Sequence, residues 1–569
     1  MTRETTLELL KSRPNISVLI IGGGVNGIGT FRDLALQGVD VLLVDMEDFC
    51  SGASAASSHM VHGGLRYLEN GEFRLVREAL HERNRLLKNA PHQVKPLPTT
   101  IPIFSWFSGM LNAPLKFIGL RDKPSQRGAI VIKIGLTLYD WFTGREQTMP
   151  GHSFNQRGKA LARRPGLNPS IINTATYYDA WMPYPERICM ELILDAEAAS
   201  PDAHAVNYMK AIGTTGEEVI LEDRLTRETY SIRPQIVINA AGPWIDFANK
   251  NLRHTTHFIG GTKGSHLVVD HPELHAACQG HEMFFENADG RITLFFPLMD
   301  RVLIGTTDIR IDNPDEAITT DEEIDYLLGM VRIVFPHIEV KRSDIVFHFS
   351  GVRPLPSSES STTGQISRDH SIRTVEAGSE VKFPVLSLVG GKWTTFRAFA
   401  EQAADDVLKR LGRARKLSTA DVPIGGGKDY PHNEEQRWLA EHQLTTGLSR
   451  ERLETLFSRY GTRTLEMAAF INAGEDAPLR ARPDYSRREL LYLAEREKVV
   501  HLDDLLLRRS LIAMLGYATG DLLAEVGEIV QAALGWSDET TQAEIERAAT
   551  LLEKRHGVPR EALVSATHA

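Results

Sequence analysis

ISVLIIGGGVNGIGTFRDLALQGVDVLLVD, residues 16 to 45, holds a strand, a glycine turn, a helix, a second strand and a terminal acid. The β-branched run Val18 to Ile21 leads into Gly22, Gly24 and Gly27, spaced as Gly-x-Gly-x-x-Gly. The three glycines play different parts. Gly22 permits the tight turn, Gly24 admits a pyrophosphate to the backbone, and Gly27 lets the helix pack on the sheet. The following helix points its free N–H groups and positive dipole end at that phosphate. Asp45 ends the run Val41 to Val44, where a carboxylate accepts both ribose hydroxyls of an adenosine and repels a 2′-phosphate. A lone glycine cluster is weak evidence, but the complete unit predicts an adenine dinucleotide, NAD or FAD. Its place at the N-terminus, with no catalytic domain ahead of it, leans towards FAD.

The 569 residues exceed one core, so two or three domains are expected. With 42% hydrophobic and 24% charged residues the chain reads as an ordinary soluble globular protein. Its net charge of −10 is spread along the sequence, and no basic patch favours nucleic acid. Cys50, Cys189 and Cys278 share no motif spacing and read as buried thiols in a reducing compartment. The N-terminus lacks a signal-peptide pattern, which predicts a cytoplasmic protein that starts here. No window is long and apolar enough to span a membrane; Ala129 to Phe142 comes nearest, interrupted by Lys133 and Asp140.

Beyond the first unit, Phe73, Val76, Leu80 and Leu87 mark a helix that Pro91 stops. Residues 98 to 150 are apolar and broken by Pro102, Pro114 and Pro124. The aromatic and basic cluster at 104 to 123 reads either as a core element or as a surface that dips into a membrane interface. A helix at Arg187 to Ala199 and strands near Val219 and Ile236 return to the nucleotide domain, and residues 255 to 345 read as an antiparallel sheet roofing a site. Gly425 to Gly427, flanked by Pro423 and Pro431, is the best linker signal, and 433 to 555 are helical by pattern.

The loop Ser51 to Leu68 is rich in small residues and suits the wrapping of a planar ligand, since Gly63 and Gly64 admit backbone N–H groups to its edge. SSHMVHGGLRYLENGEFRLVREAL at 57 to 80 is similar to the signature of FAD-dependent, quinone-linked glycerol-3-phosphate dehydrogenases. So are KGSH at 263, GTTD at 305, SGVRPL at 350 and GGKWTTFR at 390, while RRELLYLAEREKVVHLDDLLLRR at 487 resembles that family's helical cap. The resemblance covers nearly the whole chain. It implies an α/β fold with a Rossmann-like FAD-binding domain of the glutathione-reductase/D-amino-acid-oxidase type, an antiparallel-sheet substrate domain and a C-terminal all-helical domain. The oxidoreductase region is expected at 14–424, with FAD-binding parts near 14–97, 187–250 and 345–424, substrate-domain parts near 98–186 and 251–344, and the cap at 430–569.

The implied reaction is oxidation of sn-glycerol 3-phosphate to dihydroxyacetone phosphate, with hydride to flavin N5 and electrons on to a membrane quinone. That chemistry needs a cation site for phosphate and a proton acceptor. The resemblance places Arg66, Tyr67, His266, Arg353, Lys392, Thr394 and Thr395 around the substrate, with Arg368 a weaker addition; Arg397 is a further source of positive charge. His266 is the preferred base, His62 the second candidate against the flavin, and Arg353 the group that holds the alkoxide. FAD contacts are expected from Gly22, Gly24, Gly27, Asp45, Ser57, Ser58, His62, Gly63, Gly64, Leu65, Ala241, Gly242, Gly391, Lys392, Trp393 and Thr394. A helix starting near Thr394 would aim its dipole at the flavin edge. No metal is expected.

Three features depart from the family pattern: His59 replaces lysine, Pro183, Tyr184, Pro185 and Glu186 of WMPYPER stand ahead of Arg187 where an acidic pair precedes arginine, and the segment 104 to 128 is longer. They leave open another polyol phosphate such as erythritol phosphate; oxygen instead of quinone as acceptor is a related reading, and the aromatic and basic cluster at 104 to 123 favours a membrane-surface acceptor. A non-catalytic flavin sensor is the reading from a different class; the full set of Arg66, His266, Arg353 and Lys392 argues against it. The expected location is peripheral, on the inner face of the cytoplasmic membrane, and a homo-oligomer is compatible with the chain.

Overall fold

Val18 to Ile21 and Val41 to Val44 carry no polar break, the composition of strands buried on both faces. In the computed structural model, which describes residues 2–64, 72–106, 128–143, 148–287, 291–357 and 369–564, these strands form the middle of a parallel sheet. Asn15–Ile21 lies between Thr229–Asn239 and Val41–Val44; Val385–Val389 and Ala203–Val206 extend the two sides in parallel. Ser371–Val375 closes one edge antiparallel.

Alternation along each strand sends side chains to opposite faces. Val18 and Ile20 pack with Ile28, Phe31, Ile188, Leu192 and Phe399 from the helices Val25–Leu36, Pro185–Ala199 and Phe396–Arg410. On the other face Leu19, Ile21, Leu42 and Val44 meet Leu10, Leu221 and Val237.

A second, mainly antiparallel sheet stands over the carboxyl ends of the first. It contains Thr262–Val269, Arg301–Gly305, Ile292–Leu298, Glu282–Glu286, Lys95–Ile103 and Asn173–Trp181; only the pairing of Glu282–Glu286 with Lys95–Ile103 is parallel. Ile345–Arg353 pairs with Thr262–Val269 along its length. This strand was expected in an FAD-binding part, but its hydrogen bonds place it in the second sheet.

The C-terminal region is helical, as its pattern predicts, with Glu435–Thr446, Arg450–Tyr460, Arg487–Arg496, Gly520–Leu534 and Asp538–His556 among its helices. Its core is continuous with the second sheet: Leu505, Leu522 and Val526 pack in one cluster with Phe296, Leu303, Phe347 and Phe349.

The Gly425–Gly427 stretch is no flexible linker. Gly425 and Gly426 donate to Asp195 and Glu191, and a Cβ on Gly426 would stand 1.9 Å from the Tyr460 carbonyl oxygen. Glycine is required here for close approach between the two regions, and a packed junction results.

Buried ion pairs also tie the C-terminal domain to the nucleotide domain. Arg187 donates to both carboxylate oxygens of Glu497, with neither side chain more than 4% exposed. Removing one partner of such a pair strands a buried charge. Glu497→Gln is expected to lower unfolding stability by about 3–5 kcal/mol, read by chemical denaturation, whereas Lys88→Ala in the exposed Lys88–Asp421 pair leaves the curve in place.

Candidate active site

A cavity of about 830 Å³ opens at the carboxyl ends of the parallel strands, where open α/β sheets bind ligands. Gly22, Gly24, Asp45, Ala241 and Gly242 line it, followed by the loop Ser51–Ala56 and the end of the strand Ile345–Arg353. Its size falls in the range of cofactor sites, about 300–1,000 Å³.

The glycine turn behaves as its spacing predicts. Gly22 has φ +111°, and a Cβ there would stand 2.5 Å from the Ala240 oxygen; a Cβ on Gly27 would stand 2.0 Å from the Gly22 oxygen. The helix begins after Gly24, its first amide Val25 N donates to Ser54 Oγ at 3.0 Å, and Val25 and Asn26 line the cavity. Asn26 Oδ1 is buried without a hydrogen-bond partner, and the Asn26 amide donates to Gly390 O at 3.2 Å. Asp45 accepts from Gly23 N at 2.6 Å and Glu47 N at 2.8 Å, while burial pushes its pKa up to about 7. A polar acceptor, an orphaned amide oxygen and a Cβ-free cradle fit the adenosine diphosphate half of FAD.

The remaining motifs converge on the loop Ser51–Gly64. Thr394 Oγ1 accepts from His62 N and donates to His62 O, both at 3.1 Å, and Trp393 Nε1 donates to Ser54 O at 2.8 Å. The helix expected near Thr394 starts as a short turn, Trp393–Thr395, and becomes α-helical at Phe396. Lys392 caps that turn, half-buried; Gly391 has φ +95°, and Thr395 Oγ1 is buried without a partner. Ser57 Oγ accepts from His59 N. Gly63 N donates to Tyr139 Oη at 2.9 Å and Asp179 Oδ1 at 3.2 Å, and Gly64 has φ +76°. Leu65, Arg66, Tyr67 and Arg368 lie outside the described residues, as do 107–127 of the long insertion.

His266 is 1% exposed and stacked on Phe349, with ring centroids 4.8 Å apart. Its Nε2 shares a hydrogen bond with Ser58 Oγ at 2.8 Å. Burial, with the charge of Arg353, holds its pKa well below the ordinary imidazole value. The ring is therefore neutral and reaches the loop through Ser58. His59, in the position of the family's lysine, is fully buried, and burial pushes its pKa down to about 4, so the position carries no charge at neutral pH.

KGSH, GTTD and SGVR form one network. The Arg353 guanidinium donates to Thr306 Oγ1 at 3.0 Å, Thr307 O at 3.3 Å and Asp308 Oδ1 at 3.3 Å. A Cβ on Gly264 would stand 2.3 Å from this group, so KGSH contributes a glycine floor under the arginine. Behind it, buried Glu323 accepts from Lys263, Ser265 and Thr307. Burial alone would raise its pKa, but these donors, led by Lys263, hold it below the usual carboxylate value. Nothing local marks Glu323 in the sequence, where Thr320 and Glu323 read only as a capping box.

Arg397 departs from its expected role as a site cation. It is paired with Glu82 at 2.7 Å and Glu401 at 2.6 Å beneath the helix start, a structural pair.

Residues 17–395 match the FAD dependent oxidoreductase family, and residues 417–541 match the C-terminal domain of alpha-glycerophosphate oxidase. A glycerol-3-phosphate dehydrogenase of Synechocystis sp. is 34% identical over 94% of this chain and 96% of that protein. One from Pseudomonas tolaasii is 33% identical over 87% and 92%. The solved glycerol-3-phosphate dehydrogenase from Bacillus halodurans, complexed with FAD, shares the fold with a TM-score of 0.74 at 23% identity, covering 97% of each chain. With a glycine turn and an acid at the cavity supplied by the region that matches, the chain belongs to the FAD-dependent oxidoreductases of the glycerol-3-phosphate dehydrogenase family.

Proposed function

We propose that the chain oxidises sn-glycerol 3-phosphate to dihydroxyacetone phosphate and delivers the electrons to a membrane quinone. FAD, when bound, supplies the hydride acceptor. The observation that carries the reading is the joining of His266, Trp393 and Thr394 to one loop, Ser51–Gly64, with the Arg353 guanidinium close enough to His266 for its charge to act on that ring. Arg353 presents a planar, permanently charged fork that suits a phosphate or a developing alkoxide. Lys392, with Arg66 and Tyr67, completes the anion site. Neutral His266 accepts the hydroxyl proton by way of Ser58, and buried Glu323 keeps Thr307 and so Arg353 in place.

The helix Ala129–Thr143 supports the membrane part. Its inner face packs Ile132, Leu136 and Tyr139, while Ile130, Ile134 and Trp141 are exposed with Lys133 between them and Trp106 exposed close by. An apolar stripe with an aromatic and a lysine suits the headgroup boundary of a bilayer. No helix among the described residues is long and apolar enough to cross one. Tyr139 on the inner face also holds Gly63, so the helix that meets lipid steadies the flavin loop.

Anaerobic mixing of the FAD-loaded protein with glycerol 3-phosphate is expected to bleach the flavin absorbance faster than any tetritol phosphate does. Arg353→Ala should slow bleaching by about 100-fold or more with FAD still bound; no bleaching in the parent protein overturns the reading. The acid limb of flavin reduction that His266→Asn removes should lie well below pH 6.5, because the depressed pKa keeps the ring neutral until then. A limb near 6.5 would assign the proton to another group. Ile134→Asp with Trp141→Ser should abolish cosedimentation with anionic vesicles while anaerobic bleaching stays unchanged; retained binding removes this helix from the membrane face, and rapid peroxide formation without quinone makes oxygen the acceptor.

A further inference from the structure

The C-terminal domain reaches the adenosine end of the cavity by two routes. The first runs through the turn that follows Asp45. Asp48, three residues on, is fully buried and accepts from Arg508 Nε at 2.5 Å, from Arg509 at 2.9 Å through each terminal nitrogen, and from Asn207 Nδ2 at 2.9 Å. The neighbouring turn, Val206–Met209, is gripped by the same segment. Tyr208 Oη donates to Asp504 Oδ1 at 2.6 Å, and Asn207 Nδ2 donates to Lys498 O at 2.9 Å. The two turns are also joined to each other, since Asp45 N donates to Val206 O and Met209 N to Asp45 O. The acid that faces the ribose is therefore held in place from the far end of the chain.

The second route is the cavity wall. Leu507, Arg508 and Met514 line it, together with Arg547, Leu551 and Arg555, which recur every four residues on one face of the helix Asp538–His556. Arg555 extends its guanidinium to the carbonyl oxygens of Asp315 and Ala317 at 3.4 Å, and Asp315 Oδ1 accepts from Trp244 Nε1 at 2.8 Å. Trp244, Asp315 and Ala317 line the same cavity. Three segments distant in sequence thus meet across its mouth.

From this we infer that the C-terminal domain is a structural part of the FAD site, which retains the dinucleotide by holding the Asp45–Asp48 turn and by closing the adenosine end with the Arg547–Arg555 face. The inference deepens the FAD reading and rests on it. Arg547 and Arg555 supply the rim, and Asp48 the fixed point. A bound dinucleotide that leaves only when this wall moves should dissociate slowly.

The test compares the full-length protein with the rim variant Arg555→Ala, whose exposed side chain meets only carbonyl oxygens, and with Asp48→Asn, reading the flavin-to-protein ratio, the rate of FAD release by the rise of free-flavin fluorescence, and melting temperatures with and without FAD. The rim variant is expected to release FAD at least tenfold faster, with an unchanged melting temperature of the FAD-free protein and a smaller gain on adding FAD. Asp48→Asn should release it faster still. If the domain serves stability alone, both melting temperatures fall together and release is unchanged; that result overturns the inference. Because Arg555 is exposed, failure of Asp48→Asn to fold leaves the Arg555→Ala measurement decisive. A parent protein that takes up no FAD would instead overturn the cofactor reading itself.

Discussion

The arrangement depends on the close approach of backbone to backbone at the first turn. Gly27 sits where any Cβ would stand 2.0 Å from the Gly22 oxygen, and Gly22 where one would stand 2.5 Å from the Ala240 oxygen. Only that contact brings the helix end, the strand Thr229–Asn239 and the acid at Asp45 to one side of the sheet. Everything that wraps the cofactor is then referred to this corner: Asn26 bonds Gly390, Ser54 receives Val25 N and Trp393, and Asp48 anchors the cap.

A second principle governs the charges. Buried ions are costly unless paired and hydrogen-bonded, and here most of the buried arginines serve the fold. Arg187, Arg397 and Arg509 each meet a carboxylate in the interior. Among the described residues Arg353 meets a hydroxyl, a carbonyl and a carboxylate at 3.3 Å, which orient the guanidinium. The acid that neutralises this neighbourhood, Glu323, is set one layer back and pairs with Lys263 instead. Burial likewise keeps His59 and His266 uncharged.

Much of the fold was legible. The strands at Val18 and Val41, the helices at Phe73 and Pro185 and the helical C-terminal region follow from periodicity and stop signals that act within a few residues. Two local signals misled. Three glycines between prolines read as a linker but fill a junction with no room for side chains, and Arg397 in a functional motif turned out to serve Glu82. In both cases the deciding neighbour is remote in sequence: Tyr460 for Gly426 and Glu82, 315 positions away, for Arg397.

By itself the sequence determined the dinucleotide unit, the order of the site motifs and the helical nature of the last domain, because steric limits at glycine and the side-chain periods of strand and helix are short-range. Which groups meet was decided only by the tertiary structure. That Thr394 clasps His62, that Glu323 stands behind Arg353, and that Arg509 reaches Asp48 across 461 positions depend on where two sheets and a cap come to rest against each other. Hydrogen bonds and ion pairs have no sequence period; they form wherever packing leaves a donor beside an acceptor away from water.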